Sequence, residues 1–214
     1  MQNEHRDRYA GVVLAGGQSR RMGGGDKGLL DLDGQSMLSR VIAALGPQVR
    51  TLAINANGDP ARFAAFGLPV TPDTVEGFVG PLAGVLAGLR WAVAHAPGAT
   101  HVASVSADAP FLPDDLVAQL AAAIIDRPTA IAIARSGGEL HPVIGLWPVS
   151  LADDLEAALT EGTRKVLAWT DRHGTVAVDF PFLDVAGEQI DPFFNANTPA
   201  ELDEARRILA VMRA

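Results

Sequence analysis

The sequence predicts a three-layer α/β/α sandwich, doubly wound around a mostly parallel sheet in the Rossmann-like manner. Three observations carry that reading. Apolar runs alternate with helical patterns along the chain, the βαβα signature of a sheet covered by helices on both sides. The runs are short, rich in Val, Ile and Ala, and apolar at successive positions, so both faces of each strand must be buried. No internal repeat or low-complexity linker interrupts the 214 residues, a length that suits one domain with a real core.

The elements follow in order. Residues 10–14 read as the first buried strand, and residues 36–45 carry the first helical spacing. Strands are then expected at 49–55, 68–71, 100–106 and 130–134, with helical patterns at 59–66, 82–95 and 114–125 between them. The C-terminal third is less regular, with strands at 140–147 and 175–178 and a helix at 149–160. A last helix, Pro199–Met212, has Thr198 as its cap, Pro at its first position and Glu201 in its first turn. Residues 1–8 are charged and read as a flexible tail. Residues 9–125 form a half suited to nucleotide and 126–214 a half suited to a second substrate, within one domain.

Composition narrows the function. Hydrophobic residues make up 48% and charged residues 20%, the balance of a folded globular chain. No apolar run is long enough to cross a bilayer, and the N-terminus lacks the apolar centre of a signal peptide, so no membrane partner is expected. There is no cysteine, which excludes disulfides and thiolate metal sites and agrees with a cytoplasmic protein. A net charge of −8 argues against nucleic acid as a partner. A chain this acidic can hold a polyphosphate only by gathering cations locally or by recruiting a metal.

The segment after the first strand does gather them. Leu14-Ala15-Gly16-Gly17-Gln18-Ser19-Arg20-Arg21-Met22-Gly23-Gly24-Gly25-Asp26-Lys27 packs glycines and three cations into one loop. Glycine lets the backbone come close to a ligand, and successive free N–H groups form a cradle for anions. Arg20, Arg21 and Lys27 add full charges that can grip phosphate oxygens. It is not a Walker loop, because Lys27 is followed by Gly28 and not by Ser or Thr. Gly23, Gly25 and Gly28 match G-x-G-x-x-G, a weak match because no helix opens directly behind them.

In such a fold, ligands bind beyond the carboxyl ends of the strands, near the point where strand order reverses. Asn55 ends the second expected strand, Asp73 follows the third and Asp108 follows the fourth. Asp108 offers a carboxylate where an apolar strand stops, and a single Asp suffices for Mg²⁺ that completes its shell with phosphate and water. Capping of the next helix is the competing role, which Asp114 or the Pro113 neighbourhood would fill better. Asn55 can both donate to and accept from a base or ribose, and Asp73 can accept from either. Both residue types also serve turns, and Asn57-Gly58-Asp59-Pro60 follows closely.

These residues resemble a known family. Leu-Ala-Gly-Gly-x-Ser-x-Arg-Met-Gly, then Asp-Lys, is similar to the signature of nucleotidyltransferases that activate small phosphorylated molecules with an NTP. Arg20-Arg21-Met22-Gly23-Gly24, then Asp26-Lys27-Gly28-Leu29-Leu30, more narrowly resembles the MobA-type molybdenum cofactor guanylyltransferases. Gly80-Pro81-Leu82-Ala83-Gly84 resembles another string of that family, although a helix start with Pro in its first turn would look the same. The resemblance implies a Rossmann-like nucleotidyltransferase fold and Mg²⁺ as cofactor. It implies transfer of GMP from GTP to a molybdopterin-type cofactor, with release of pyrophosphate.

By the same resemblance Arg21, Lys27 and Asp108 are catalytic, with Asp108 the metal ligand. GTP would meet Leu14, Ala15, Gly16, Gly17, Lys27, Asn55, Asp73, Gly84 and Asp108. The family writes the metal-binding stretch Asp-Thr-Pro or Asp-Met-Pro, where this chain has Asp108-Ala109-Pro110. The acceptor would meet His141, Arg164, Lys165, Asn195 and Asn197. His141 carries no general-base role in this reading, and Asn197 could equally cap the last helix. Partners implied are GTP, the molybdenum cofactor, and transient contacts with cofactor-biosynthesis proteins or apo-molybdoenzymes. A cytidylyltransferase for the same cofactor, a sugar-phosphate nucleotidyltransferase and a non-catalytic nucleotide-binding regulatory module are the alternatives.

Overall fold

The computed structural model describes residues 6–16, 26–75 and 80–213. Its centre is a sheet of β1 (Tyr9–Leu14), β2 (Thr51–Asn55), β3 (Val70–Thr71), β4 (His101–Ser106), β5 (Ala132–Ser136), β6 (Glu139–Pro148) and β7 (Val176–Asp179). The spatial order is β3-β2-β1-β4-β6-β5-β7. All neighbouring pairs are parallel except those of β6, which runs antiparallel to both β4 and β5. The chain therefore goes out to one side through β2 and β3, then crosses back to place β4 on the other side of β1. That reversal beside β1 fixes where a ligand can enter the carboxyl edge.

Strands β1, β2 and β4 are buried on both faces because their side chains feed two different cores. On one face, Val13 of β1 joins α1 (Met37–Leu45) through Leu38, Val41 and Leu45, and α3 (Leu116–Ala123) joins through Leu116, Val117 and Leu120. On the other, Ala10 and Val12 join α2 (Pro81–His95) through Val85, Leu86 and Leu89. Also on that face lie α4 (Ala152–Thr160), with Leu155 and Leu159, and α5 (Val166–Thr170), with Trp169 stacked near Trp147. A third, smaller core forms where α6 (Pro199–Met212) packs on Leu32, Met37 and Phe111. It is completed by a hairpin of β8 (Leu183–Val185) and β9 (Glu188–Ile190).

Two contacts set the spacing above the sheet. A Cβ on Gly88 would stand 2.6 Å from Val12 Cγ1, and one on Gly84 would stand 2.5 Å from Asn55 Oδ1. These glycines, one turn apart, let α2 lie directly on β1 and on the end of β2.

Several elements differ from the sequence pattern. The expected helix at 59–66 is a 3₁₀ helix, Pro60–Phe66, capped by Asp59 and closed by Gly67 in the left-handed region. The helix expected at 114–125 is shorter, and its cap is Asp115, whose side chain accepts from Gln119 and makes no capping bond. The 149–160 helix opens with a 3₁₀ turn, Val149–Leu151. Short α5 and the β8–β9 hairpin had no strong pattern to announce them. At the chain start, the Arg8 carbonyl accepts from Thr100 N at 2.8 Å, and the Arg6 side chain reaches the Val49 carbonyl.

Candidate active site

The carboxyl edge gathers two polar clusters around the end of β1. In the first, Asn55 closes β2 with only 4% of its surface exposed. Its Nδ2 donates to the Thr71 carbonyl at 3.1 Å and to Asp73 Oδ1 at 3.0 Å. Asn57 Nδ2 donates to the other carboxylate oxygen of Asp73 at 2.7 Å, and Asp73 N donates back to Asn57 Oδ1 at 2.9 Å. Ala15 N donates to the Asn55 carbonyl, which ties the start of the glycine-rich segment to the same wall. Asn55 Oδ1 faces Gly84, and the open side of Gly16 lies 4.0 Å from it. The competing turn role for Asn55 is not what the geometry shows; a buried amide instead orients an acid.

The second cluster stands at the end of β4. Gly28 sits so close to Ala107 that a Cβ would approach Ala107 Cβ to 3.0 Å. That lets the 3₁₀ turn Lys27–Leu29 rest on the strand end and turns Lys27 inward. Lys27 Nζ lies 4.0 Å from Asp108 Oδ2 and donates to Asn197 Oδ1 at 2.7 Å. Asp108 Oδ1 accepts from Ser106 Oγ, and its main-chain carbonyl accepts from Ala196 N at 3.1 Å. Asp108 therefore caps no helix. Asn197 does not cap α6 either. That role falls to Thr198, whose Oγ1 accepts from Glu201 N, while Glu201 Oε2 accepts from Asn197 N at 2.8 Å. The neighbouring Asn195 has a buried Oδ1 that meets no hydrogen-bond donor among the described residues.

Of the remaining acceptor-side residues, His141 stands further along the edge. Because β5 and β7 are parallel and β6 is antiparallel, the β5 end, the β6 start and the β7 end share the carboxyl edge. His141 lies there, but its ring is engaged. Its Nε2 lies 2.6 Å from Ser136 Oγ and its ring packs on Phe193 at 4.7 Å. Asp191 Oδ1 accepts from both Ser136 Oγ and Phe193 N. Burial pushes the His141 imidazole below its ordinary value, against the pull of Asp191 and Glu139. His141 thus braces the segment leading to Asn195 and Asn197. Arg164 and Lys165 are exposed between α4 and α5, where Arg164 donates to the Leu159 and Thr163 carbonyls. Gly17 and Arg21 lie outside the described residues.

Some polar partners at this edge had no signal in the sequence. Arg62 pairs with Asp26 at 2.7 Å, and Ser136 and Asp191 carry the network around His141. No cluster of three or more His, Cys, Asp or Glu stands ready for a metal among the described residues. One carboxylate with a hydroxyl behind it still suits Mg²⁺ arriving with a polyphosphate, since that ion takes one or two protein carboxylates and fills its shell with phosphate and water. At the opposite edge a cavity of about 60 Å³ beside His101 is far below nucleotide size.

The family model of the MobA-like NTP transferase domain matches residues 11–176. A molybdenum cofactor guanylyltransferase of Bradyrhizobium sp. (strain ORS 278) is 54% identical over 94% of this chain and 93% of its own length. One from Rhodopseudomonas palustris (strain BisB5) is 56% identical over 92% of each. Among solved structures, the molybdopterin-guanine dinucleotide biosynthesis protein A of Archaeoglobus fulgidus superposes with a TM-score of 0.72. Its identity is 23%, over 94% of this chain and 98% of that one.

Proposed function

Because this chain belongs to the MobA-like NTP transferase family, we propose that it is a molybdenum cofactor guanylyltransferase. It moves GMP from GTP onto the phosphate of a molybdopterin-type cofactor, with release of pyrophosphate. The observation that carries the reading is Lys27 set between Asp108 and Asn197, which joins the end of β4 to the acceptor-side segment.

The chemistry asks little of acid–base groups. An acceptor phosphate is already an anionic nucleophile near neutral pH. What opposes reaction is repulsion between anions and the charge growing on the leaving pyrophosphate. Transfers of this kind are catalysed mainly by alignment and electrostatics. Lys27 supplies a fixed cation beside the position assigned to the phosphates, and Arg21 and the amides of Gly16 and Gly17 complete the cradle. Asn55, Gly84 and Asp73 form the wall for base and ribose, with Leu14 and Ala15 at its foot. Asn195, Asn197, Arg164 and Lys165 receive the acceptor. Asp108 would hold Mg²⁺, whose contribution when bound is to neutralise phosphate charge.

Guanine and magnesium are tested directly by binding of GTP, CTP and ATP to the purified protein, with and without Mg²⁺. Preference for GTP that grows with Mg²⁺ is expected. Preference for CTP would move the assignment to a cytidylyltransferase. The variant Asp108→Asn should lose turnover far more than nucleotide affinity. Equal loss of both would favour a binding module without chemistry. The acceptor surface and contact with cofactor-biosynthesis proteins or apo-molybdoenzymes follow from the same reading, as does a cytoplasmic location.

A further inference from the structure

Arg62 stands outside every role assigned so far. It lies on the 3₁₀ helix after β2, with its side chain one-third exposed, and it reaches both Asp26 and the Asn57 carbonyl. Its Nε pairs with Asp26 Oδ2 at 2.7 Å, the residue directly before Lys27. Its Nη2 donates to the Asn57 carbonyl at 2.5 Å. Its guanidinium lies 4.9 Å from the centre of the Phe63 ring, which is itself 1% exposed. A planar, five-donor cation is the side chain that can span a carboxylate and a carbonyl while resting on an aromatic face.

The two groups it joins belong to different halves of the nucleotide site. Asp26 opens the turn that aims Lys27, and its carbonyl accepts from Leu29 N. Asn57 holds Asp73 by two hydrogen bonds and so belongs to the nucleoside wall. We infer that Arg62 is a positioning residue that latches the lysine turn to the nucleoside wall, holding the phosphate cation at a fixed span from Asn57 and Asp73. The inference rests on the nucleotide site proposed above. Exposed ion pairs alone contribute little. Here the pair is partly buried, with Asp26 at 17% exposure, and it is one arm of a three-point contact. A fixed span matters only to a ligand that engages both ends at once, so the latch should be felt by a nucleotide and not by a nucleoside.

The test uses the full chain and the variants Arg62→Ala, Arg62→Lys, Asp26→Asn and the Asp26→Asn/Arg62→Ala double. Backbone hydrogen exchange at Leu29 and Leu30 should quicken in Arg62→Ala. GTP affinity should fall about tenfold, with KM rising more than kcat falls, while guanosine binding stays unchanged. Arg62→Lys, which can face Asp26 but cannot span both acceptors, should fall between. The double variant should be no worse than the single ones, because each removes the same link. Unchanged exchange in Arg62→Ala would overturn the latch. So would equal losses for guanosine and GTP, which would mean a collapsed wall, or additive losses in the double variant, which would mean that Arg62 meets the ligand itself. If the wild type binds no GTP while exchange still responds to Arg62→Ala, the assigned function falls and the latch stands.

Discussion

At the scale of single residues, the edge works by placing polar groups where backbone approach is unusually close. Lys27 and Asp108 are the sharpest case. Removing one preorganised electrostatic group from a transfer site typically costs about 2.7–4 kcal/mol of transition-state stabilisation. Lys27→Ala and Asp108→Ala should each lose turnover on that order in a steady-state assay; near-normal turnover by either would contradict the assigned roles. Gly84→Ala tests the other cluster. The added methyl would stand 2.5 Å from Asn55 Oδ1 and 2.9 Å from Leu14, so α2 or Asn55 must move. Overpacking of this kind costs about 1–3 kcal/mol, readable as a lower urea midpoint, and GTP affinity should fall with it. The sequence exposed Asn55, Asp73 and Asp108 because each ends or follows an apolar strand, and Lys27 because it stands among the cations of the glycine-rich loop. It could not expose Arg62, Ser136 or Asp191, whose partners are brought together only by the fold.

At the scale of elements, legibility followed burial. Strands β1, β2 and β4 are apolar on both faces and stood out to within two residues of their limits. Direction did not stand out, because a buried run reads the same either way, and β6 proved antiparallel. Pro142 survives inside β6 because pairing with β4 ends at Ser104 and Gly145, short of the proline. Strands β8 and β9, three residues each, are too short for any period to register, although their turn places Ala186 and Gly187 at positive φ. Helix α6 was legible from its cap. Replacing Thr198 by Ala removes the acceptor for Glu201 N and should destabilise the protein by about 1 kcal/mol in chemical denaturation. A rise in acceptor KM should accompany it, since the same first turn holds Asn197 N.

At the scale of the whole molecule, the two sheet edges have separate duties. The carboxyl edge holds the polar clusters, while the amino edge buries His101, 5% exposed, between Thr100 Oγ1 and the Pro128 carbonyl. Burial pushes the His101 imidazole below its ordinary value, opposed by the Pro128 carbonyl and assisted by Arg8. His141 is shifted the same way by burial. A histidine whose folded value is depressed stays neutral in the fold while the unfolded chain takes up a proton. Stability should therefore be full above about pH 6.5 and decline as pH falls from there through the lowered folded values. Urea midpoints at pH 7.5 and 5.5 would show it, and His101→Asn should flatten the slope.

The contact between Lys27 and Asn197 spans 170 positions of sequence. Such a closure is slow to search for, because loop-closure entropy is spent before the contact rewards it. During synthesis the first four strands and the nucleoside wall are available once the chain has passed Asp108, whereas the lysine finds its amide partner only when the last helix has emerged. Nascent chains released before residue 195 should therefore be able to present a nucleoside wall yet leave the phosphate cation unanchored. Completion of the cleft waits on the segment that carries Asn197.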